Sequence, residues 1–432
     1  MAFLAGIKGG VDLKATDVND RSAANLENAT PDVLDNEHER WEYFFNSGCR
    51  TWFDLIKDHT FTSTFCTLDP SEARVIVEHW EARRRLIAAA SSRGEESEPS
   101  AELDALLTRT LESLGPLKQR LDAAVAEETA KSSEGKAFVK LSTRSPKDSK
   151  KALARAKASY HSRLAALDHE ADDNERWVML SEEVTKSSAI ANGDEALELL
   201  LDSDRVYEDL EYALRGPPAP SEPSTTGGAA EGATDAAASS SGGSAVACQG
   251  AVAQGAVAHP PGGEVTLSWN MELVARAWDP RLTPESEYRG IAWNGELSCL
   301  CQYFHPLYFP GMRDRSEEVQ RDIMAVYNSP EVKNAVARLG GHCIIDFAWL
   351  GPGEVIVIEL NPFDGVCLGT FPASTGLFLW DEPADKLVMM GEAPFEFRMR
   401  DAPLEAASLR VQCNQDWRAI VHPSPTQQDQ AA

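Results

Sequence analysis

The sequence predicts an α+β chain, mainly antiparallel sheets covered by helices, with one long disordered insertion. Three observations carry this reading. Asn294-Gly295 separates two strand-like runs, 287–293 and 296–303, and is a strong two-residue hairpin signal. Gly351-Pro352-Gly353 separates the apolar runs Cys343-Ile344-Ile345 and Val355-Ile356-Val357-Ile358, which read as a second antiparallel pair over 342–361. Residues 216–263 are built from Ala, Gly, Ser and Pro with almost no large apolar side chains. Such a segment cannot offset the entropy of ordering, so it is expected to be a disordered insertion within one domain.

The other elements follow in order. Residues 1–37 are polar and aperiodic, a loose leader. From 38 to 59 aromatic residues are dense (Trp41, Phe44, Phe45, Trp52, Phe53), which suggests a small packed subdomain. Residues 71–90 read as an amphipathic helix with Ser71 as N-cap and Ala73, Val75, Val77 and Trp80 on the apolar side. A charged loop over 91–100 leads to helices over 101–114 and on to about 131. These make an N-terminal helical and aromatic-rich region, 38–133. A first lobe, 134–215, begins with the strand 137–141. Asp148 or Ser149 caps a helix over 150–165, Arg176 to Met179 reads as strand and turn, and helices follow over 192–201 and 203–214. A second lobe, 264–422, opens with a strand over 271–278. It continues with the two hairpins, separated by a helical stretch over 315–339 that breaks near Asn328-Ser329-Pro330. The segment 376–380 is the last firm element, and 423–432 is a polar tail.

Composition excludes several classes. The 432 residues allow two or three domains, and 43% hydrophobic content supports a sizeable core. A formal net charge of -27 argues against a general binder of nucleic acid or anionic membrane, since both would be repelled. It leaves room for a local basic pocket and suits a basic protein partner. The eight cysteines are scattered. Cys299 and Cys301 form C-x-C with no histidine at zinc-finger spacing, so the thiols read as core residues of a reducing compartment. The N-terminal apolar run is too short for a secretory signal. No stretch reaches the ~18–20 apolar residues of a membrane span. The reading is a cytoplasmic protein.

Chemistry concentrates in a few places. Asp346 closes one apolar strand; Glu359 and Asn361 close the next, two residues apart and therefore on one face. Two carboxylates and an amide oxygen at neighbouring strand ends suit Mg²⁺, which leaves its other positions to water and phosphate. Lys140 lies on an apolar strand, where burial demands an anionic partner unless the side chain snorkels to solvent. Arg276, on the same face as Val274, and Arg289, on the next strand, suit bidentate phosphate contacts, or else surface ion pairs. Together they suggest a nucleoside triphosphate site. The chain has no G-x-x-x-x-G-K-[ST], no G-x-G-x-x-G and no kinase motif set.

Four segments resemble the cell division cycle protein 123 family, of ATP-grasp fold, in the family's order: AFVKLSTRSPKDS (137–149), Ser203-Asp204, MELVARAWDPRLTPESEYRGIAWNGELSCLCQYF (271–304) and IIDFAW with VIVIELNPF (344–363). The resemblance spans about 137–380. It implies an ATP-grasp-like fold with ATP and Mg²⁺ as ligands. Lys140 would contact the nucleotide. Glu272, Leu273 and Val274 would form a hinge that binds adenine through backbone groups, and Arg276 and Arg289 would face ribose or phosphates. Asp346, Glu359 and Asn361 would hold the metal. The family's proteins are assembly chaperones for eukaryotic translation initiation factor 2 and bind its gamma subunit, which makes that subunit the expected partner. Three departures stand out: Glu359 where the family usually has Asp, the 216–263 insertion, and FPASTGLFLW in place of the family's ending. Two alternatives remain at this point, an ATP-grasp carboxylate-amine or carboxylate-thiol ligase, and an interaction protein that keeps the fold without a nucleotide.

Overall fold

The computed structural model describes residues 41, 44–45, 47–93, 100–216, 269–362, 376–379, 382–413 and 415–422. The expected leader and tail, and the insertion from 217 onward, lie outside the described residues. The described elements are α1 (Cys49–Phe53), β1 (Ser63–Thr67), α2 (Pro70–Ser92), α3 (Ser100–Ser113), α4 (Gly115–Thr129), β2 (Ala137–Leu141), α5 (Lys150–Ala165), α6 (Asp173–Ser187), α7 (Gly193–Leu201) and α8 (Asp204–Arg215). After the insertion come β3 (Glu272–Ala277), a 3₁₀ turn (Pro284–Ser286), β4 (Glu287–Trp293), β5 (Glu296–Gln302), α9 (Pro310–Arg313), α10 (Ser316–Tyr327), α11 (Pro330–Arg338), β6 (Cys343–Gly351), β7 (Glu354–Pro362), α12 (Pro383–Met389), β8 (Glu396–Arg398), α13 (Ala406–Gln412) and α14 (Gln415–Val421).

The strands form two sheets, a three-stranded one in the order β1-β3-β2 and a five-stranded one in the order β7-β6-β4-β5-β8. Every pairing is antiparallel except β5 with β8. This is the expected α+β class. Both predicted hairpins form, and Asn294 takes the left-handed conformation (φ 51°) that its turn requires.

Period-2 alternation decides which side chains meet the cleft. On β2 and β3, Ala137, Val139, Leu141, Leu273 and Ala275 point into a core with α2, α4, α7 and α8. The alternate residues Phe138, Lys140 and Arg276 face the other way. On the larger sheet Tyr288, Ile345, Phe347 and Leu360 enter a second core with α5, α6, α10 and α11. Glu287, Arg289, Asp346 and Glu359 take the opposite face.

Several expectations are corrected. Arg176 to Met179 is helical, within α6; Trp177, Leu180 and Val184 are buried at spacings of three and four, a period the short window concealed. Asp69, not Ser71, caps α2, with Pro70 as its first residue and Glu72 accepting from the Asp69 N–H at 3.0 Å. The aromatic cluster makes no core of its own: Trp41, Phe44 and Phe45 join one core and Trp52 the other. Residues 376–379 are a turn with Leu377 and Phe378 buried, and described elements continue past it to Val421. Strands β1 and β8 were not anticipated; each is short and pairs with a distant segment.

Of the eight cysteines, the described Cys49, Cys66, Cys299, Cys301, Cys343 and Cys413 are free thiols, and all but Cys413 are buried. Among the described residues no helix is long and apolar enough to cross a membrane.

A buried histidine gives the fold a pH signature. The Thr110 hydroxyl donates to the Leu106 carbonyl at 2.9 Å, so the Nδ1–H of His79 donates to Thr110 Oγ1 at 2.8 Å. Burial, helped by Arg83 and Lys151, pushes the imidazole down to about 4, from 6.5 in the unfolded chain. Between these values the unfolded state binds more protons, so stability falls as pH drops from 6.5 towards 4. At about 1.4 kcal/mol per pH unit the loss is on the order of 3 kcal/mol. Chemical denaturation across this range is expected to give a shallower pH slope for His79→Gln than for the wild type.

Candidate functional site

The two sheets enclose a cavity of about 360 Å³ whose charged end is lined by Lys140, Lys147, Arg276, Arg289, Asp346 and Glu359. Cross-strand register assembles the floor. Arg289 on β4 lies opposite Asp346 on β6, and Asp346 lies opposite Glu359 on β7. Three chain segments thus present a guanidinium and two carboxylates in one row perpendicular to the strands. Arg289 clamps Asp346 bidentately, Nε to Oδ1 at 2.7 Å and Nη2 to Oδ2 at 2.8 Å. Asn361, the next residue on that face of β7, donates from Nδ2 to Asp346 Oδ2 at 3.3 Å.

The smaller sheet covers this row. The Lys140 ammonium, whose side chain is 1% exposed, donates to Glu359 Oε1. Arg276 donates from Nη1 to the Ile358 carbonyl at 2.7 Å and from Nη2 to Cys49 Sγ at 3.1 Å. That carbonyl is free because β7 bulges: the register passes from Asp346↔Glu359 to Phe347↔Val357, leaving Ile358 unpaired. Lys147 stands at the rim, 4.7 Å from the Tyr303 ring centroid and 3.9 Å from Glu287 Oε2.

The turn carrying Lys147 is held by buried polar contacts. Thr143 Oγ1 donates to Asp209 Oδ2 at 2.5 Å, and Arg144 Nε lies 2.9 Å from Asp209 Oδ1. Ser149 caps α5, while Asp148 accepts from Ser203 Oγ at 2.5 Å and the Arg205 N–H at 3.0 Å. The Ser-Pro-Lys-Asp-Ser run is therefore a rigid connection between two helix N-termini.

Charge governs protonation here. Burial alone would raise the Glu359 carboxyl, but Lys140, Arg276 and Lys147 outweigh it and hold the group at about 2. Glu287 goes the other way: burial raises it, Lys147 opposes and Asp346 reinforces the rise. For Arg289, burial is outweighed by Asp346, so the guanidinium stays firmly charged.

Five residues singled out from sequence, Lys140, Arg276, Arg289, Asp346 and Glu359, thus line one cavity, with Asn361 bonded to Asp346. Lys140 does not snorkel, and Arg289 is no surface ion pair. Glu272, Leu273 and Val274 do not reach the cavity. They lie on β3, the central strand, paired with β1 on one side and β2 on the other, so the ladders occupy their backbone groups. Leu273 and Val274 are fully buried, and Glu272 accepts both Arg50 Nε and Nη2 at 3.0 Å. The connection that follows β3 reaches the cavity instead, through Ala277, Trp278, Asp279 and Leu282. Sequence reading also missed Lys147, Glu287 and Tyr303. The signal for Lys147 was its place in the turn after β2, and for Glu287 its place two residues before Arg289.

No protein-family model matches the sequence, and no curated protein matches it. Among solved structures, the chain is similar to C-terminally truncated Cdc123 and to Cdc123, both from Schizosaccharomyces pombe. The TM-scores are 0.44 and 0.43, each at 15% identity, covering 84% of this chain and 98% of the other.

The donor set suits a hard divalent cation: two carboxylates and a carboxamide converge at adjacent strand positions, with no sulfur or imidazole among them. Among the described residues no group of three or more His, Cys, Asp or Glu side chains is placed to hold a metal, so water or phosphate oxygens would have to complete any shell.

The Arg289–Asp346 clamp is expected to be costly to break from one side. Arg289→Ala leaves the Asp346 charge buried with only the Asn361 amide as partner and should lower the unfolding free energy by about 3 kcal/mol. Adding Asp346→Ala should recover part of that loss, as read by denaturant titration of both variants.

Proposed function

We propose that the cleft binds a nucleoside triphosphate with a divalent cation, ATP and Mg²⁺ by the sequence resemblance, and that the protein serves as an ATP-dependent assembly chaperone for translation initiation factor 2. The observation that supports the nucleotide reading is the convergence of Lys140, Lys147, Arg276 and Arg289 on a cavity whose floor also presents Asp346 and Glu359. Cations alone would suit any anion. Cations interleaved with carboxylates suit a polyphosphate that brings its own metal. The chaperone reading rests on segments 137–149 and 344–363, with the gamma subunit as partner.

In this reading the residues divide the work. Lys140 and Arg289 neutralise phosphate oxygens, and Arg289 adds the orientation of a planar fork. Lys147, at the rim on a rigid turn, draws the anion inward. Asp346, Glu359 and Asn361 would hold the cation, which supplies charge neutralisation between phosphate oxygens. The apolar side of the cavity, with Phe138, Val184 and Leu282, excludes water from the rest of the ligand.

Calorimetry with Mg-ATP is the test, on the wild type and on Asp346→Asn, which preserves shape and removes charge. Binding by the wild type and at least tenfold weaker binding by the variant are expected; equal affinity would remove Asp346 from the site. For the partner, cells lacking this protein should accumulate unassembled gamma subunit, and normal heterotrimer assembly in its absence would contradict the chaperone reading.

A further inference from the structure

The same cleft shows why its two expected ligands would enter together. Each carboxylate that would hold the cation is already neutralised: Asp346 by both prongs of Arg289, at 2.7 and 2.8 Å, and Glu359 by Lys140. Side-chain exposure is 6% for Asp346 and 16% for Glu359, so water cannot substitute for a lost partner at little cost. The wider cluster points the same way. Four cations, Lys140, Lys147, Arg276 and Arg289, surround Asp346 and Glu359; Glu287 and Asp279 also line the cavity, Asp279 being held by Arg281 at 2.7 Å. A lone divalent cation would have to displace a buried ammonium and a guanidinium from their carboxylates without bringing an anion to replace them. A triphosphate with one divalent cation carries about two negative charges, so it brings the anion that Lys140 and Arg289 need once their carboxylates turn to the metal.

We propose that the site works by ion-pair exchange: phosphate oxygens take Lys140 and Arg289 from Glu359 and Asp346, and only this release makes the two carboxylates available to a divalent cation. The proposal rests on the nucleotide reading and adds what that reading leaves open, that the metal ligands are locked until phosphate arrives. Lys140 and Glu359 belong to different sheets, so the same exchange removes a bond that ties the sheets across the cleft.

Because ATP chelates metals in solution, coupling between ATP and metal in the wild type is not diagnostic, and the decisive arms use the metal alone. Mn²⁺ binding is followed by electron paramagnetic resonance on the full chain, with circular dichroism confirming the fold. Wild type should show no site for Mn²⁺ alone in the range where Mn²⁺ with ATP binds. Lys140→Gln, which frees Glu359, should bind Mn²⁺ alone at least tenfold more tightly than wild type, while its affinity for ATP falls. Arg289→Lys, which loses the fork and keeps the charge, frees one Asp346 oxygen and should show a smaller gain in the same direction; it decides the matter if Lys140→Gln does not fold. Wild type that binds Mn²⁺ alone as tightly as with ATP would overturn the exchange and leave the nucleotide reading intact. So would folded variants that gain no metal affinity. Wild type that binds neither ATP nor Mn²⁺ with ATP would overturn both.

Discussion

A lysine ammonium with a side chain 1% exposed does not survive in a protein interior without an anion, and the anion for Lys140 comes from the other sheet. That requirement organises the centre of the molecule. β2 places Lys140 on the face away from its own core, and β7 places Glu359 where the two sheets meet. Arg276 adds a second tie to the Ile358 carbonyl that the β7 bulge releases. A third lies along the edge of β7, where Thr60 Oγ1 donates to the Val357 carbonyl and the Val357 N–H donates to the His59 carbonyl, both at 2.7 Å. These polar ties join the walls of the cleft beside an apolar core that takes in Val274 of the smaller sheet together with Val357 and Leu360 of the larger one.

The ties also set the cleft's chemistry. Ion pairs in a low-dielectric space hold each other's charge, as the low carboxyl of Glu359 shows. A partner that competes for one member must supply equivalent charge. The larger sheet has antiparallel register across β4, β6 and β7, so Arg289, Asp346 and Glu359 fall in one row without any loop to position them. Rigid strands define the floor; the turn after β2, pinned by Asp209 and two helix caps, defines the rim.

Much of this was legible in the chain. Asn294-Gly295 and Gly351-Pro352-Gly353 located both hairpins, since turn chemistry is local. The two-residue spacing of Glu359 and Asn361 located the floor, since side-chain alternation on a strand is local too. Apart from two local misreadings, at the Asp69 cap and over 176–179, what escaped depends on distance. The partner of β1 lies some two hundred residues downstream, and no local signal in Ser63–Thr67 announces it. Glu272, Leu273 and Val274 lie inside a sheet rather than at the cavity: the sequence shows an apolar strand, but only the pairing shows that both its edges are taken. That Lys140 would face Glu359 follows from how two sheets stack, which neither strand encodes alone.

The central claim is that Lys140 and Glu359 act on each other rather than separately on the solvent. A double-mutant cycle tests it directly, with unfolding free energies for the wild type, Lys140→Met, Glu359→Gln and the double variant. The account predicts a coupling above about 1 kcal/mol, the double variant being more stable than the sum of the single losses allows. Single effects that add to within about 0.5 kcal/mol would contradict it, and would mean that the two sheets are held across the cleft by something other than this ion pair.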